Sequence, residues 1–153
     1  MKFSAREDVE IEIEKVFAAI TDFDGFERAA MRRGIKFART TDSAKIGVGS
    51  GWSADFKFRG RARRVLINIT GLERPTMVTT SFESGGIAGT GEVELIPLSR
   101  TRTRITAAIE MKPQTLAARL MLQSLKIAKT GLANKFKARL TGFANDLEKR
   151  LKP

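Results

Sequence analysis

Residues 56–64 (FKFRGRARR) contain five basic residues interleaved with two aromatic ones, and they are the strongest candidate for a binding site in the sequence. A guanidinium such as that of Arg61 or Arg63 binds a carboxylate or phosphate through two parallel hydrogen bonds. A nucleic-acid-binding strand would need aromatic residues after Arg59-Gly60, where this chain has arginines instead. We therefore interpret the segment first as a solvated hairpin tip, second as an anchor for an anionic group, and third as a nucleic-acid contact.

The absence of three residue types excludes most catalytic chemistry. The chain has no His, no Cys and no Tyr, so it forms neither a disulfide nor a zinc site of the usual Cys/His kind. It also lacks a Ser–His–Asp or Cys–His nucleophile system and a phenolic proton donor. We therefore expect no catalytic residue, no metal site and no cofactor, and we favour a protein that is not an enzyme.

The charge is strongly positive and unevenly distributed. Lys and Arg number 28 against 17 Asp and Glu, which gives a net charge of +11. Residues 1–30 contain eight of the acids, and no acid lies between Glu110 and Asp146. The basic remainder attracts polyanions, either nucleic acid or an anionic membrane, without distinguishing between them.

Length and composition are those of an ordinary globular protein. A chain of 153 residues, 42% hydrophobic and 29% charged, predicts one domain over residues 1–153. No apolar run approaches the roughly 18 residues of a membrane span, and the first residues lack the apolar region of a signal peptide. Because the absence of Cys also agrees with a reducing compartment, we expect a cytoplasmic protein.

The first third of the chain predicts a strand and two short helices. Residues 2–9 are extended, and apolar residues recur at three- and four-residue steps in residues 12–21. Residues 22–25 break this helix and start a second one, which Gly34 closes. From residue 35 to 111 the apolar period changes to two, which predicts antiparallel strands covered on one face.

A first hairpin is predicted around Arg59-Gly60, a two-residue turn in which glycine adopts a positive φ. This register places Asp55 opposite Arg64 on the outer face, as an ion pair. The partners on the inner face are Trp52 with Ile67, Ala54 with Val65, Phe56 with Arg63, and Phe58 with Arg61.

A second hairpin is predicted across a turn near residues 98–100. It pairs Glu94 with Arg104 on the outer face, again as opposite charges. The predicted inner partners are Val93 with Ile105 and Leu95 with Thr103.

The last predicted element is a long helix that begins near Pro113 and kinks at Gly131. Its first half is apolar on more than one face, so it needs a second partner: a ligand, a lid loop, a lipid surface or another subunit. Basic residues flank this half, at Lys126, Lys129, Lys135, Lys137 and Arg139. The core-facing stripe comprises Leu132, Phe136, Leu140, Phe143, Leu147 and Leu151.

The order of these elements resembles the START-like superfamily, also called SRPBCC, over essentially the whole chain. The local marks are residues 16–26 (VFAAITDFDGF), residues 49–52 (GSGW) before a strand, and the closing helix. The superfamily includes polyketide cyclases/dehydrases and lipid-transport domains. The resemblance implies an α+β helix-grip fold, in which a curved antiparallel sheet of about seven strands wraps around the long C-terminal helix and encloses an apolar cavity.

Three function classes follow. We favour non-catalytic binding or transport of a hydrophobic or amphipathic small molecule or lipid, because the fold implies a cavity and groups for chemistry are scarce. The alternatives are a polyketide cyclase/dehydratase-like enzyme and a basic adaptor for nucleic acid or an anionic membrane. The expected partner is therefore a hydrophobic small molecule or lipid, with an anionic membrane surface second and nucleic acid least favoured.

The inner face of the sheet supplies the predicted site. Arg61 and Arg63 share that face and are expected to hold the anionic head of a ligand, because an isolated buried charge is too costly. The expected cavity residues are Trp52, Phe56, Phe58, Ile67, Val93, Leu95, Ile105, Ala107, Ile109, Leu116 and Leu120.

Overall fold

A computed structural model describes residues 1–41, 45–58 and 60–152 of the chain. Seven strands and four helices lie within these residues, in the predicted order. The strands are β1 (Lys2–Val9), β2 (Lys36–Arg39), β3 (Gly51–Phe58), β4 (Arg61–Glu73), β5 (Met77–Ser84), β6 (Ile87–Ser99) and β7 (Arg102–Pro113). The helices are α1 (Ile13–Ile20), α2 (Phe23–Arg32), α3 (Leu116–Ile127) and α4 (Lys129–Leu151).

The seven strands form one antiparallel sheet in the order β1-β7-β6-β5-β4-β3-β2. Consecutive strands from β2 to β7 are neighbours, and β1 closes the sheet against β7. The two short helices connect β1 to β2, and the C-terminal helices return across the inner face. The predicted helix-grip architecture is confirmed.

The predicted register of the first hairpin is confirmed at every predicted pair of β3 and β4. Trp52 lies opposite Ile67 and Phe56 opposite Arg63. On the outer face, Arg64 Nε donates to Asp55 Oδ1 at 2.7 Å. The predicted ion pair therefore forms, and both of its side chains are exposed. Arg59 lies outside the described residues.

The predicted register of the second hairpin is wrong by two residues. Leu95 lies opposite Ile105 rather than Thr103, and Glu94 lies opposite Thr106 rather than Arg104. Arg104 instead donates through Nε to Asp8 Oδ1 of β1, at 2.9 Å. A shift of two leaves every side chain on its predicted face, so alternation alone could not distinguish the two registers.

The C-terminal helix differs from the prediction at its start and at its break. Pro113 ends β7, and α3 begins after Thr115, whose side chain accepts a hydrogen bond from the Ala118 amide at 3.1 Å. The helix is interrupted at Ala128, between α3 and α4, whereas the predicted kink residue, Gly131, lies inside α4. The helix begins after the threonine rather than at the proline because the threonine side chain accepts a hydrogen bond from a backbone N–H that would otherwise be unpaired.

The core lies between the inner face of β1, β6 and β7 and the helices α1 and α4. Leu147 of α4 is fully buried against this face. Thr103 is buried too, and its hydroxyl donates to the Ile11 carbonyl at 2.7 Å. The other principal members are Val9, Val16, Phe17, Leu95, Ile105 and Leu140.

We predict that Leu147→Ala lowers the free energy of unfolding by about 2–5 kcal/mol, because it leaves a cavity in this core. The matched control is Leu120→Ala on α3, whose side chain is 58% exposed and whose truncation should change stability by less than about 0.5 kcal/mol. Chemical denaturation of both variants measures the difference. Equal effects would contradict the placement of the core.

Candidate ligand-binding site

The inner face of the β3–β4 hairpin becomes more accessible toward its tip. Trp52 at the start of β3 is buried, whereas Phe56 and Phe58 are only half-buried. On β4, Ile69 is buried and Ile67 is half-buried. Because these residues share one face of a strand pair, the sheet presents an apolar surface that the helices cover at one end and leave accessible at the other.

The covered end is held by α2. Asp22 caps this helix by accepting a hydrogen bond from the Gly25 amide at 3.1 Å. The ring of Phe23 packs against Trp52, with centroids 5.6 Å apart. The Trp52 indole donates to Glu27 Oε2 at 2.9 Å. These two contacts fix the position of the Trp52 side chain, so it does not project freely into a cavity.

Glu27 is also bound by Arg39 of β2, through two hydrogen bonds of 2.9 and 2.7 Å. These bonds, assisted by that from the Trp52 indole, lower the pKa of Glu27 from 4.5 to about 2. The same contacts raise the pKa of Arg39. Glu27 consequently stays ionised near neutral pH, so it acts as a structural anion and not as a proton donor.

Arg63 lies on the inner face near the accessible end. Its guanidinium carbon is 5.7 Å from the centroid of the Phe58 ring. Its Nε atom is buried, and within the described residues it has no hydrogen-bond partner. A buried donor without an acceptor is costly, and an acceptor carrying negative charge would satisfy it best. Arg61, the second predicted anchor, is exposed.

An open groove of about 1070 Å³ borders Arg63 where β2 begins beside β3. Arg33, Lys36 and Lys57 also line it. Among the described residues the one acid that lines it is Asp55, which Arg64 already binds. The hydrogen bond from Arg64 lowers the pKa of Asp55. In the part of the chain that is described, neither Arg33 nor Lys57 forms an ion pair. The groove is therefore a cationic mouth beside an apolar surface.

The other predicted cavity residues on the sheet lie either in the core or on β7. Leu95 and Ile105 are buried in the core, against which Val93 and Ala107 pack. Ile109 is half-buried on β7, opposite Phe3. Their role in ligand binding stays a prediction.

The expected positions of Leu116 and Leu120 are wrong. They do not face the sheet but are 72% and 58% exposed, and the buried face of α3 carries Ala118, Leu122 and Leu125 instead. Because α3 is apolar on two faces, its spacing alone did not show which face would be buried.

Sequence reasoning missed Phe82 of β5, which adds to the accessible apolar surface. Phe82 lies opposite Ile67 on one side and Gly89 on the other. Its ring occupies the space into which a side chain at position 89 would project. A glycine inside a strand signals such a close approach, so Gly89 could have indicated a large neighbour.

Within the described ranges, two kinds of feature are absent. No group of three or more acidic side chains there is arranged to hold a metal ion. None of the described helices is both long and apolar enough to cross a membrane.

We predict that Glu27→Gln lowers the free energy of unfolding by about 1–3 kcal/mol at neutral pH, because it removes charge-assisted hydrogen bonds. Since folding depresses the pKa of Glu27, its contribution is complete above about pH 4.5 and fades as pH falls toward about 2. The difference between the two proteins should therefore shrink over that interval in denaturation at several pH values.

The control for this variant is Asp24→Asn, which removes an exposed contact to Arg39 and should cost less than about 1 kcal/mol. A Glu27→Gln effect that is no larger, or that does not change with pH, would contradict the proposed ionic network.

The likeness to known proteins is one of structure. Neither a protein-family profile nor a curated protein sequence matches the chain. Norcoclaurine synthase from Thalictrum flavum, in complex with dopamine and hydroxybenzaldehyde, superposes with a TM-score of 0.70 at 11% identity, covering 100% of this chain and 88% of that one. A protein of Thermus thermophilus gives a TM-score of 0.68 at 12% identity and 95% coverage of both chains.

A third structure is the Zhui aromatase/cyclase from Streptomyces sp. R1128. Its TM-score is 0.65 at 13% identity, covering 96% of this chain and 94% of that one. At these identities the superpositions establish architecture and not activity. The chain has the helix-grip fold of these solved structures.

Proposed function

We propose that the protein binds, without catalysing a reaction, an amphipathic molecule whose head is a carboxylate or phosphate. The tail lies on the accessible inner face of β3–β5, and the head lies at Arg63. The observation that carries the proposal is the buried Arg63 Nε, which lacks a hydrogen-bond partner in the described residues and adjoins a half-buried apolar surface.

The apolar part of the ligand fits the surface formed by Phe56, Ile67 and Phe82. These side chains belong to three adjacent strands and point to the same face. Each is half-buried, so a bound chain would remove further apolar area from water. Such burial contributes about 25 cal/mol per Å², which favours an extended hydrocarbon over a small polar ligand.

The anionic part fits the charges at the mouth. Arg63 offers a planar donor fork on the inner face, and Arg33 and Lys57 line the same groove, Lys57 from the outer face of β3. Asp55, the described acid of this groove, is bound to Arg64 on the outer face, so it does not neutralise Arg63. A carboxylate or phosphate would gain charge-assisted hydrogen bonds that a neutral head would lack.

Fixed contacts of two acids on the inner side of the sheet favour binding over catalysis. Glu27 is held by Arg39 and Trp52. Glu7 faces inward from β1, but its carboxylate accepts a hydrogen bond from the Thr141 hydroxyl at 2.6 Å. Other proteins of this fold include an aromatase/cyclase and norcoclaurine synthase, so a cyclase-like enzyme stays the alternative. Turnover of a bound polyketide chain would support that alternative.

We predict that Arg63→Met weakens binding of palmitate tenfold or more, because a charged hydrogen bond contributes roughly 1.5–3 kcal/mol. Methionine preserves much of the side-chain bulk, so affinity for the matching alcohol, hexadecanol, should change less than about threefold. Titration calorimetry or displacement of a fluorescent fatty acid gives both affinities.

The matched control is Arg61→Met, which removes the same charge from an exposed position on the same face and should weaken palmitate binding less than about threefold. Equal losses for acid and alcohol in Arg63→Met would mean that Arg63 shapes the mouth without recognising charge, and would overturn the assignment of the head.

A further inference from the structure

Helix α3 has two apolar faces, of which only one is buried. Its inner face carries Leu122 and Leu125 against the rest of the protein. Its outer face carries Leu116, Leu120 and Ile127, which are 72%, 58% and 91% exposed. Spacings of four and seven residues place these three side chains on one stripe along the helix. We call these three residues the α3 stripe.

The α3 stripe is more than scattered surface apolarity. Ile127 and Leu116 are the two most exposed large hydrophobic side chains in the described part of the chain. Single exposed apolar residues are common on soluble proteins, whereas aligned exposed residues mark an interaction surface. The stripe runs from the first residue of α3 to its last, so the whole length of the helix presents it.

Basic side chains lie beside the α3 stripe, and no acidic side chain in the described residues pairs with them. Arg119 and Lys126 lie seven residues apart, on one side of the stripe. Lys129 follows at the start of α4. The sequence has no acid from residue 111 to 145. Within the described residues, none of these three cations forms an ion pair.

Apolar and cationic groups on one helix fit one kind of partner better than others. A nucleic acid would satisfy the cations but would leave the leucine and isoleucine side chains in water. A bilayer surface with anionic head groups takes up both, since apolar side chains enter the acyl boundary while Lys and Arg remain at the phosphates.

We propose that α3 docks the protein on an anionic lipid bilayer, with the α3 stripe inserted and Arg119, Lys126 and Lys129 at the level of the head groups. The inference is independent of the proposed ligand site, because it uses no residue of the inner face. It also explains why Leu116 and Leu120 are exposed, since both side chains would contact the bilayer.

The experiment is vesicle flotation of the full chain. The probes are vesicles of phosphatidylcholine alone, or with about one-third phosphatidylserine, at low and at moderate salt. We expect the protein to float with the anionic vesicles, less so at moderate salt, and to remain with the soluble fraction when the vesicles are neutral.

Three variants locate the contact. Leu116→Gln/Leu120→Gln/Ile127→Gln should reduce partition to anionic vesicles at least tenfold, and Arg119→Gln/Lys126→Gln should reduce both partition and its salt dependence. Val48→Gln is the matched control, because Val48 is 64% exposed but lies outside α3, and it should float like the wild type. Unchanged circular dichroism and Trp52 emission establish that each variant is folded.

Three outcomes would overturn the proposal. The first is failure of the wild type to float with anionic vesicles. The second is equal flotation of the triple glutamine variant and the wild type. The third is self-association in vesicle-free buffer that the triple variant abolishes, which would assign the α3 stripe to a second copy of the chain.

Discussion

One helix cannot cover seven strands, and the rest of the structure follows from that constraint. A helix is about 10 Å across, whereas seven strands spaced about 4.8 Å apart span about 29 Å. Here α4 lies over β1, and α1 lies over β6 and β7, where Leu95, Ile105 and Leu147 are buried. The inner face beyond them is filled at one end by Trp52 under α2 and stays accessible toward the hairpin tip. The accessible apolar surface is thus a consequence of the architecture.

The distribution of acids decides where positive charge stays unpaired. Among the described residues, most of the ion pairs use an acid of the first thirty residues, as in Asp8 with Arg104 and Glu27 with Arg39. The hydrogen bond from Arg104 lowers the pKa of Asp8, so this pair persists near neutral pH. The β3–β4 hairpin therefore has few acidic residues to pair with its bases, and α3 has none in its own sequence. Unpaired positive charge therefore collects, among the described residues, at the groove beside Arg63 and along α3.

Sequence reasoning succeeded where a local rule fixed the geometry. The turn at residue 60 and the alternation around Trp52 gave every pair of the β3–β4 hairpin, and with them the common face of Phe56 and Arg63. It failed where two solutions satisfied the same rule, as in the two-residue shift of β6 against β7 and the choice of buried face on α3. The contact between Glu27 and Trp52 was missed because it depends on how α2 packs, which no local pattern encodes.

Trp52 offers the most direct test of how a ligand would lie, because the chain has one Trp and no Tyr. Arg63 lies opposite Phe56 and Ile67 opposite Trp52, so four residues of β4, about 13 Å at roughly 3.3 Å each, separate the head site from the indole. Bromine quenches indole emission at close range. Palmitate brominated near the middle of its chain should therefore quench Trp52 more strongly than palmitate brominated beside the carboxylate. Stronger quenching by the bromine beside the carboxylate, or equal quenching by both, would contradict the proposed orientation.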